Sequence, residues 1–325
     1  MKAALYTAYG PPGVIQLREI EKPTPKSNEV LVKVIASSVN ALEWRRFTLP
    51  RPMLRIFGGG ISEPRDKSIG GDVAGTVEAV GSGVSRFQPG DEVFGIQRGA
   101  FAEYVCAIED KLVPKPKNIS FEAAAAVPIA ALTALQAIRD SGKIQKGQKV
   151  LIYGAGGGVG TFAVQIAKAF GAEVDAVCGT RNVELMYSIG ADRVWDYTRE
   201  DFARDGQRYD LIVAVNGYRS ILEYRRALKP KGTSVLIGGT FAQFFQWMFP
   251  GPLLSLLGSK KSRGMITRPN QQDLVALKEL LESRQLVPVI DKCYPLAKTA
   301  DAIRYLLAGH VRGKVVITNE GIESG

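Results

Sequence analysis

The sequence predicts a two-part α/β protein, in which a barrel-like antiparallel β region precedes a doubly wound parallel sheet. Up to about residue 120, short β-branched runs such as 30–35 and 73–80 are separated by turn formers, a texture typical of antiparallel strands. Beyond that point, strand-like and helix-like segments alternate, which is typical of parallel βαβ units. The length of 325 residues agrees with two domains.

The elements of the second part follow from their apolar patterns. An alanine-rich helix is expected over 121–139, and a helix with three leucines on one face begins near Asn270. Between them we expect strands at 149–153, 173–178, 193–195, 210–215 and 234–237, and helices at 161–170 and 183–189. The chain then ends with two strand-like runs around a further helix.

The composition disfavours several classes of function. Three cysteines and one histidine can hardly supply a zinc site, and the cysteine spacing indicates no disulfide framework, so a reducing, cytoplasmic setting is expected. The net charge is +10, but the basic residues are not interleaved with aromatic residues as they are in an RNA-binding surface. The N-terminal residues show no secretory signal, and glycines and prolines interrupt the uncharged stretch 232–259, so a transmembrane helix is not expected.

A glycine-rich turn follows the apolar strand 149–153 and opens a helix. Read as Ala155-x-Gly157-x-x-Gly160, it matches the dinucleotide fingerprint with alanine in the first slot. Gly157 would let the backbone approach a pyrophosphate, Gly160 would let helix and strand pack closely, and the helix N-terminus at Gly158 and Val159 would supply amide donors. A purely structural turn is the alternative.

The choice between NADH and NADPH depends on the end of the next strand, where an acidic side chain would bind a ribose 2′-hydroxyl. Here the chain reads Thr180-Arg181, a hydroxyl and a guanidinium that would hold a 2′-phosphate, and Asp175 lies too early in the strand for this role. These residues favour NADPH. The alternative is an Arg181 that simply lies on a solvated loop.

Several ordered motifs give the chain a resemblance to a known family over nearly its whole length. They are Ala36-Ser37-Ser38-Val39-Asn40, Gly70-Gly71-Asp72-Val73-Ala74-Gly75, Phe87-Gln88-Pro89-Gly90-Asp91-Glu92-Val93, Leu132-Thr133-Ala134, the glycine turn, and Gly309-His310-Val311-Arg312-Gly313-Lys314. The sequence resembles the zinc-free quinone oxidoreductase and alkenal/enone reductase branch of the medium-chain dehydrogenase/reductase superfamily. The resemblance implies a GroES-like catalytic domain (1–121 and 286–325), a Rossmann NADP-binding domain (122–285), an active site in the cleft and a homodimer.

The resemblance also implies roles for single residues. Asn40 is expected near the nicotinamide and the acceptor, Thr133 near the nicotinamide ribose or phosphates, and Gly238 and Gly239 against the nicotinamide. Tyr197 matches a position that contacts the adenosine phosphate. For Arg312 and Lys314, cofactor contact and a structural role are both open.

Zinc-dependent relatives have a Cys near the position of Asn40 and a His at the position of Gly71, and this sequence departs from them at both. The resemblance therefore implies hydride transfer from NADPH to an acceptor that is already electrophilic, either a quinone or the conjugated double bond of an α,β-unsaturated carbonyl. No general acid stands out, and Trp44 is expected to be a packing residue. The alternative is a non-catalytic, NADPH-binding relative with a structural or membrane-associated role.

The uncharged segment 240–259 is longer and more aromatic than a connection requires, and Lys260, Lys261 and Arg263 follow it. One interpretation is a cap over the substrate cleft or a subunit interface. The other is a membrane-surface contact that includes Phe244, Phe245 and Trp247.

Overall fold

The computed structural model describes residues 1–41, 43, 47, 63–216, 219–239, 246–247, 250–256 and 258–319. Trp44, Phe244 and Phe245 lie outside these residues. The strands are β1 Lys2–Tyr6, β2 Ile15–Glu19, β3 Glu29–Ser38, β4 Asp72–Val80, β5 Glu92–Ile96, β6 Tyr104–Ile108, β7 Leu112–Pro114, β8 Lys149–Tyr153, β9 Glu173–Cys178, β10 Arg193–Asp196, β11 Tyr209–Val215, β12 Leu228–Ile237, β13 Lys261–Gly264, β14 Ile290–Pro295 and β15 Lys314–Thr318. The helices are α1 Phe121–Ala126, α2 Pro128–Gln136, α3 Gly158–Ala169, α4 Val183–Ser188, α5 Ile221–Ala227, α6 Pro250–Leu256, α7 Gln271–Glu282 and α8 Thr299–Leu307.

The chain divides into two compact units. One comprises Met1–Ile129, Pro269–Glu282 and Pro288–Gly325, and the other Ala130–Arg268 and Ser283–Val287. Helix α7 is tied to the first unit by two side-chain amides: Gln271 Nε2 donates to Leu112 O (3.2 Å), and Asn118 Nδ2 donates to Leu281 O (3.0 Å).

The first unit contains a seven-stranded sheet in the order β14-β15-β3-β4-β5-β7, with β6 paired to β3. All of its pairings are antiparallel except β14 with β15. Alternate residues of β3 to β7 point into one buried cluster, which includes Val32, Val73, Val93, Val105 and Leu112. This period-two burial explains why the β-branched runs of the sequence form strands.

The second unit is a six-stranded parallel sheet in the order β10-β9-β8-β11-β12-β13. Counted from β8, this is the 3-2-1-4-5-6 order of a doubly wound dinucleotide-binding sheet, in which the chain changes direction between β8 and β11. In such sheets ligands bind outside the carboxyl ends of the strands at that switch point. The predicted α/β fold class is confirmed, with an antiparallel sheet unit and a Rossmann-type unit.

Three elements differ from the sequence prediction. The expected helix 121–139 is divided at Pro128, which has no N–H to continue α1 and instead begins α2, and a π-helical turn, Ala137–Ser141, ends the segment. Strand β12 begins at Leu228, well before the expected position 234. Strand β13 was not expected, because its four residues are mostly polar.

Trp247 belongs to the core of the second unit. Its side chain is only 2% exposed and packs with Leu151, Ile212, Leu236 and Tyr224 on one face of the sheet, with its ring centroid 6.2 Å from that of Tyr224. This burial argues against Trp247 as a membrane-surface residue. Among the described residues, no helix is both long enough and apolar enough to cross a bilayer.

Candidate active site

The glycine turn between β8 and α3 has the geometry of a phosphate-binding turn. Gly154 has φ +76°, and a Cβ there would lie 2.2 Å from Val215 O. A Cβ on Gly160 would lie 2.3 Å from Gly154 O and 2.6 Å from Ala155 Cα, so only glycine lets α3 pack against the turn.

Gly157 differs from its neighbours, because the protein itself does not require a glycine there. The closest atom to a Cβ on Gly157 would be Gly154 O at 3.7 Å, an ordinary contact. Gly157 also precedes the first turn of α3, whose N–H groups lack helical partners. The open space and the amide donors together fit a bound pyrophosphate.

The carboxyl ends of β9 and β10 bring together the residues predicted for the adenosine end of the cofactor. Thr180 and Arg181 are exposed just after β9, and Tyr197, 59% exposed, follows β10. The Tyr197 hydroxyl lies against Gly179, 3.0 Å from where a Cβ would be. Thr180, Arg181 and Tyr197 therefore lie at one corner of the sheet.

Sequence reasoning missed an acidic residue in this corner. Asp196 accepts a hydrogen bond from Thr180 Oγ1 (2.6 Å) and two from Thr198, through N (3.0 Å) and Oγ1 (2.7 Å). The Thr180 hydrogen bond and the Thr198 hydrogen bonds lower the pKa of Asp196, so it is ionised at neutral pH. The hydroxyl proton of Thr180 is therefore directed at Asp196.

Two further strand ends border the switch point. Gly238 and Gly239 follow β12 with φ values of +70° and +105°, a region that favours glycine. Gly239 N donates to Asn216 Oδ1 (3.1 Å), and Asn216 N donates to Ile237 O (2.9 Å). Asn216, which sequence reasoning also missed, thus links the ends of β11 and β12; its only signal was the Asn-Gly pair after a strand.

Thr133 is buried in α2 and its Oγ1 lies 2.7 Å from Thr267 Oγ1. Arg312 is exposed, and its backbone N donates to Asp291 Oδ2 (3.0 Å) in the first unit. Neither contact tests the predicted cofactor roles of these residues.

In the first unit, Asn40 lies in a buried polar network at the end of β3. Its Nδ2 donates to Asp72 Oδ2 (2.7 Å) and to Ser38 O (3.3 Å), and its Oδ1 accepts from Lys314 Nζ (2.7 Å). Its backbone N–H donates to Glu43 Oε2 (2.8 Å). The side chains of Asn40, Glu43, Asp72 and Lys314 are all at most 6% exposed.

Burial perturbs the three titratable groups of this network. It raises the pKa of Asp72, against the opposing effects of Lys314 and the hydrogen bonds from Asn40 and Ser38. It lowers the pKa of Lys314, against Asp72 and Glu43, and raises the pKa of Glu43, against the hydrogen bond from the Asn40 backbone. Each shift has the sign expected of a charge removed from water.

Gly71 stands at the position where zinc-dependent relatives have a histidine ligand. A Cβ on Gly71 would lie 2.7 Å from Ile129 Cδ1, so the Ile129 side chain fills the space that a larger residue would need. Within the described parts of the chain, no group of three His, Cys, Asp or Glu side chains is arranged to hold a metal ion.

Two family models match the chain. One, described as an alcohol dehydrogenase GroES-like domain, covers residues 26–117, and the other, described as a zinc-binding dehydrogenase, covers residues 189–317. The chloroplast envelope quinone oxidoreductase homolog of Arabidopsis thaliana is 33% identical, over 98% of both chains. The NADPH-dependent alkenal/one oxidoreductase, chloroplastic, of the same plant is 31% identical over 98% of this chain and 79% of that protein.

A solved structure of the quinone oxidoreductase from Coxiella burnetii superposes with a TM-score of 0.86, at 29% identity and over 98% of this chain and 99% of the other. The chain therefore belongs to the medium-chain dehydrogenase/reductase superfamily, in the branch of the quinone oxidoreductases and alkenal/enone reductases. It is an oxidoreductase, as the resemblance predicted.

Proposed function

We propose that the protein transfers hydride from NADPH to a quinone, or to the conjugated double bond of an α,β-unsaturated carbonyl compound, without zinc. This proposal is carried by the residues that stand at the two positions where zinc-dependent relatives have zinc ligands. One holds Asn40, whose amide lies in a buried hydrogen-bond network, and the other holds Gly71, packed against Ile129.

These residues do not fit a zinc ion. The one side-chain oxygen at the first position, Asn40 Oδ1, already lies 2.7 Å from the ammonium of Lys314, which would repel a dication. A histidine at the second position would have to displace the Ile129 side chain. No step of the reaction is therefore assigned to a metal.

The cofactor is NADPH, and the residues of the second unit fit it. When bound, NADPH supplies the hydride. The open face of Gly157 and the first amides of α3 would hold the pyrophosphate, and Arg181 and Tyr197 would hold the 2′-phosphate end. Gly238 and Gly239, fixed by Asn216, would line the nicotinamide. A role of Asn40 near the nicotinamide stays a prediction of the family resemblance.

Without a Lewis acid, the acceptor must be electrophilic by itself. A quinone or an enone meets this condition, because its conjugation spreads the negative charge that forms on hydride addition, whereas an isolated ketone gathers that charge on one oxygen and needs a Lewis acid or a general acid there. This restricts the substrate class to conjugated carbonyl compounds.

The test is NADPH consumption by protein that has been stripped of metal with a chelator and dialysed. We expect turnover with p-quinones or short alkenals, no oxidation of alcohols by NADP⁺, and no change on adding zinc. Alcohol oxidation, or an activity that zinc restores, would contradict the proposal. NADPH binding without turnover on any quinone, alkenal or enoyl thioester would favour the non-catalytic alternative.

The uncharged segment supports a homodimer rather than a membrane contact. Leu253, Leu256 and Ile266 are 58%, 83% and 75% exposed and lie in or near α6 and β13, the last strand of the sheet within the described residues. Of the cations that a membrane contact would use, Lys260 Nζ donates to Arg225 O (2.7 Å) and Arg263 Nη1 to Ser141 O (3.0 Å). A second copy that covers the leucines and the strand edge is the better fit.

Size-exclusion chromatography with light scattering tests the proposed homodimer. We expect about twice the chain mass of 35.2 kDa for the wild type, and the monomer mass for Ile266→Glu. Val287→Glu, at a position that is 54% exposed elsewhere in the unit, is the matched control and should remain a dimer. A monomeric wild type that sediments with anionic vesicles would instead favour the membrane interpretation.

The three cysteines are free thiols, at positions 106, 178 and 293. This supports the proposal that the protein works in a reducing compartment such as the cytoplasm.

A further inference from the structure

Four cations of the second unit lie at the amino edge of its parallel sheet. Arg208 directly precedes β11, Lys260 directly precedes β13, Arg225 is in the last turn of α5, and Lys231 is in the first half of β12. Because the strands are parallel, this edge is opposite the glycine turn, which follows the carboxyl end of β8. These four residues form what we call the cation cluster.

Arg225 and Lys260 are held beside each other by hydrogen bonds to each other's backbone. Lys260 Nζ donates to Arg225 O (2.7 Å), and Arg225 Nη1 donates to Lys260 O (2.8 Å). Arg225 Nη2 also donates to Leu254 O (2.9 Å). Burial lowers the pKa of Lys260, and the positive charges of Arg208 and Arg225 lower it further, so all three cations act on one another.

The chain itself does not balance these charges. Within the residues that the structure describes, none of the four cations forms an ion pair with a carboxylate. Asp210, two positions after Arg208, already accepts from Lys229 Nζ (2.8 Å) and from Lys149 N (2.8 Å). The carboxyl end of α5 contributes roughly half a negative charge, against several full positive charges. The cluster therefore keeps a net positive charge that an external anion could neutralise.

Lys231 is in a backbone conformation that does not suit a lysine. Its φ is +66°, in the left-handed region that favours glycine. Its backbone N lies 3.5 Å from Ser259 Oγ, so this residue is beside the one that precedes Lys260. Glycine at this position would relieve the strain and would remove the charge. A strained residue that adds a cation to a repulsive cluster is typical of a binding site rather than of a structural element.

The donors that remain in the cluster fit phosphate groups. Arg225 has five N–H groups, of which two are used, and the ammonium of Lys260 has three, of which one is used. A guanidinium binds two phosphate oxygens at once, and an ammonium contributes a compact charge. A single carboxylate would leave most of the positive charge unbalanced, whereas linked phosphate groups would neutralise it.

We propose that the cation cluster is a binding site for a polyvalent phosphate anion, separate from the cofactor corner at the opposite edge of the sheet. A free polyphosphorylated compound and a phosphorylated lipid headgroup share this chemistry. The inference is independent of the proposed function, because it needs neither hydride transfer nor a particular acceptor.

The experiment is a calorimetric titration of the full chain with inorganic tripolyphosphate in the presence of saturating NADPH. We expect saturable binding that weakens as the salt concentration rises, and an unchanged Kd of NADPH. The absence of saturable binding would overturn the proposal. Competition between tripolyphosphate and NADPH would also overturn it, because the anion would then occupy the cofactor site.

Two variants test the location of the site without endangering the fold. Lys231→Gly removes one charge together with the backbone strain, and Arg208→Gln changes an exposed side chain. Both should melt close to the wild type, and each should raise the Kd of tripolyphosphate about fourfold, as the loss of one exposed charge contact. A Kd that neither variant changes would refute the location.

Arg284→Gly is the matched control for Lys231→Gly. Arg284 is an exposed cation elsewhere in the same unit, and its φ is +56°, so this change also removes one charge and one strained residue. We expect it to leave the Kd of tripolyphosphate unchanged. An equal rise for Arg284→Gly and Lys231→Gly would show that only the net charge matters, and this would contradict a defined site.

Sedimentation with phosphatidylcholine vesicles that contain phosphatidylinositol 4,5-bisphosphate distinguishes the two sources of the anion. Co-sedimentation that tripolyphosphate reverses and that Lys231→Gly weakens would support the site and identify a lipid headgroup as its ligand. Binding of tripolyphosphate without co-sedimentation would support the site and identify a free anion. Co-sedimentation that Lys231→Gly and Arg208→Gln leave unchanged would place the lipid contact elsewhere and count against the cluster.

Discussion

Replacing Arg181 by alanine should weaken the binding of NADPH without weakening the binding of NADH. Arg181 is exposed after β9, and we propose its guanidinium as the donor to a 2′-phosphate, because the hydroxyl of its neighbour Thr180 donates to Asp196 (2.6 Å). A hydrogen bond to a charged group contributes about 1.5 to 3 kcal/mol. Because this site faces solvent, we take the lower end, which is about a tenfold rise in the Kd of NADPH.

Fluorescence titration with NADPH and with NADH measures this directly. Arg204→Ala is a suitable control, because the Arg204 side chain is 88% exposed in the same unit and its ion pair is with Asp201 (3.4 Å). If Arg181→Ala changes the Kd values of both cofactors equally, or neither, the assignment of the 2′-phosphate corner is wrong.

The opposite change is expected at Asp196. Its carboxylate would repel a phosphate and holds the Thr180 proton, so Asp196→Asn should tighten NADPH binding a few-fold relative to NADH. An unchanged ratio would mean that the phosphate lies away from this carboxylate.

Three further predictions concern the turn, the network and a thiol. Gly160→Ala should unfold the Rossmann unit, because its Cβ would lie 2.3 Å from Gly154 O, whereas Gly157→Ala should melt like the wild type but bind NADPH more weakly. A Gly160→Ala variant that melts like the wild type, or a Gly157→Ala variant with the affinity of the wild type for NADPH, would contradict this. Burial raises the pKa of Glu43 in the folded state. The contribution of Glu43 to the free energy of unfolding is therefore largest below its unfolded pKa of about 4.3 and is lost as the pH rises. Glu43→Gln should therefore gain stability relative to the wild type between pH 5 and pH 8, measured by urea unfolding, and a pH-independent difference would refute the reasoning. Burial, aided by Asp196, raises the pKa of Cys178 to about 11, so iodoacetamide at pH 8 should modify it about a hundredfold more slowly in the folded protein than in urea, by mass spectrometry; equal rates would show an accessible thiolate.

The elements that the sequence predicted well are those specified by neighbours along the chain. Strand β8, the glycine turn and α3 follow from an apolar run, from glycines that backbone contacts require, and from one apolar helix face. The division of the helix at Pro128 could also have been predicted, because the missing N–H of proline is a local property. Strand β13 could not, because a four-residue edge strand with a polar pattern resembles a loop and forms only by pairing with β12.

The parts of the site that the sequence did not reveal depend on contacts between distant residues. Lys314 and Asn40 are 274 positions apart, and nothing local to either shows that the ammonium would donate a hydrogen bond to the amide oxygen. Asp196 lies 16 positions from Thr180 and meets it only because β9 and β10 are neighbours in the sheet. Residue types near the site were therefore predictable from motifs, while the hydrogen-bonding state of each residue required the fold.

The central claim, hydride transfer to a conjugated acceptor without a metal, is tested most directly by following the hydride. Metal-stripped protein is supplied with NADPH that carries deuterium at both C4 positions and with an α,β-unsaturated ketone, and the product is analysed by NMR. We predict one deuterium at the β-carbon of the saturated ketone, at the same rate with and without added zinc. Deuterium at the carbonyl carbon, or transfer that occurs only with zinc, would contradict the claim.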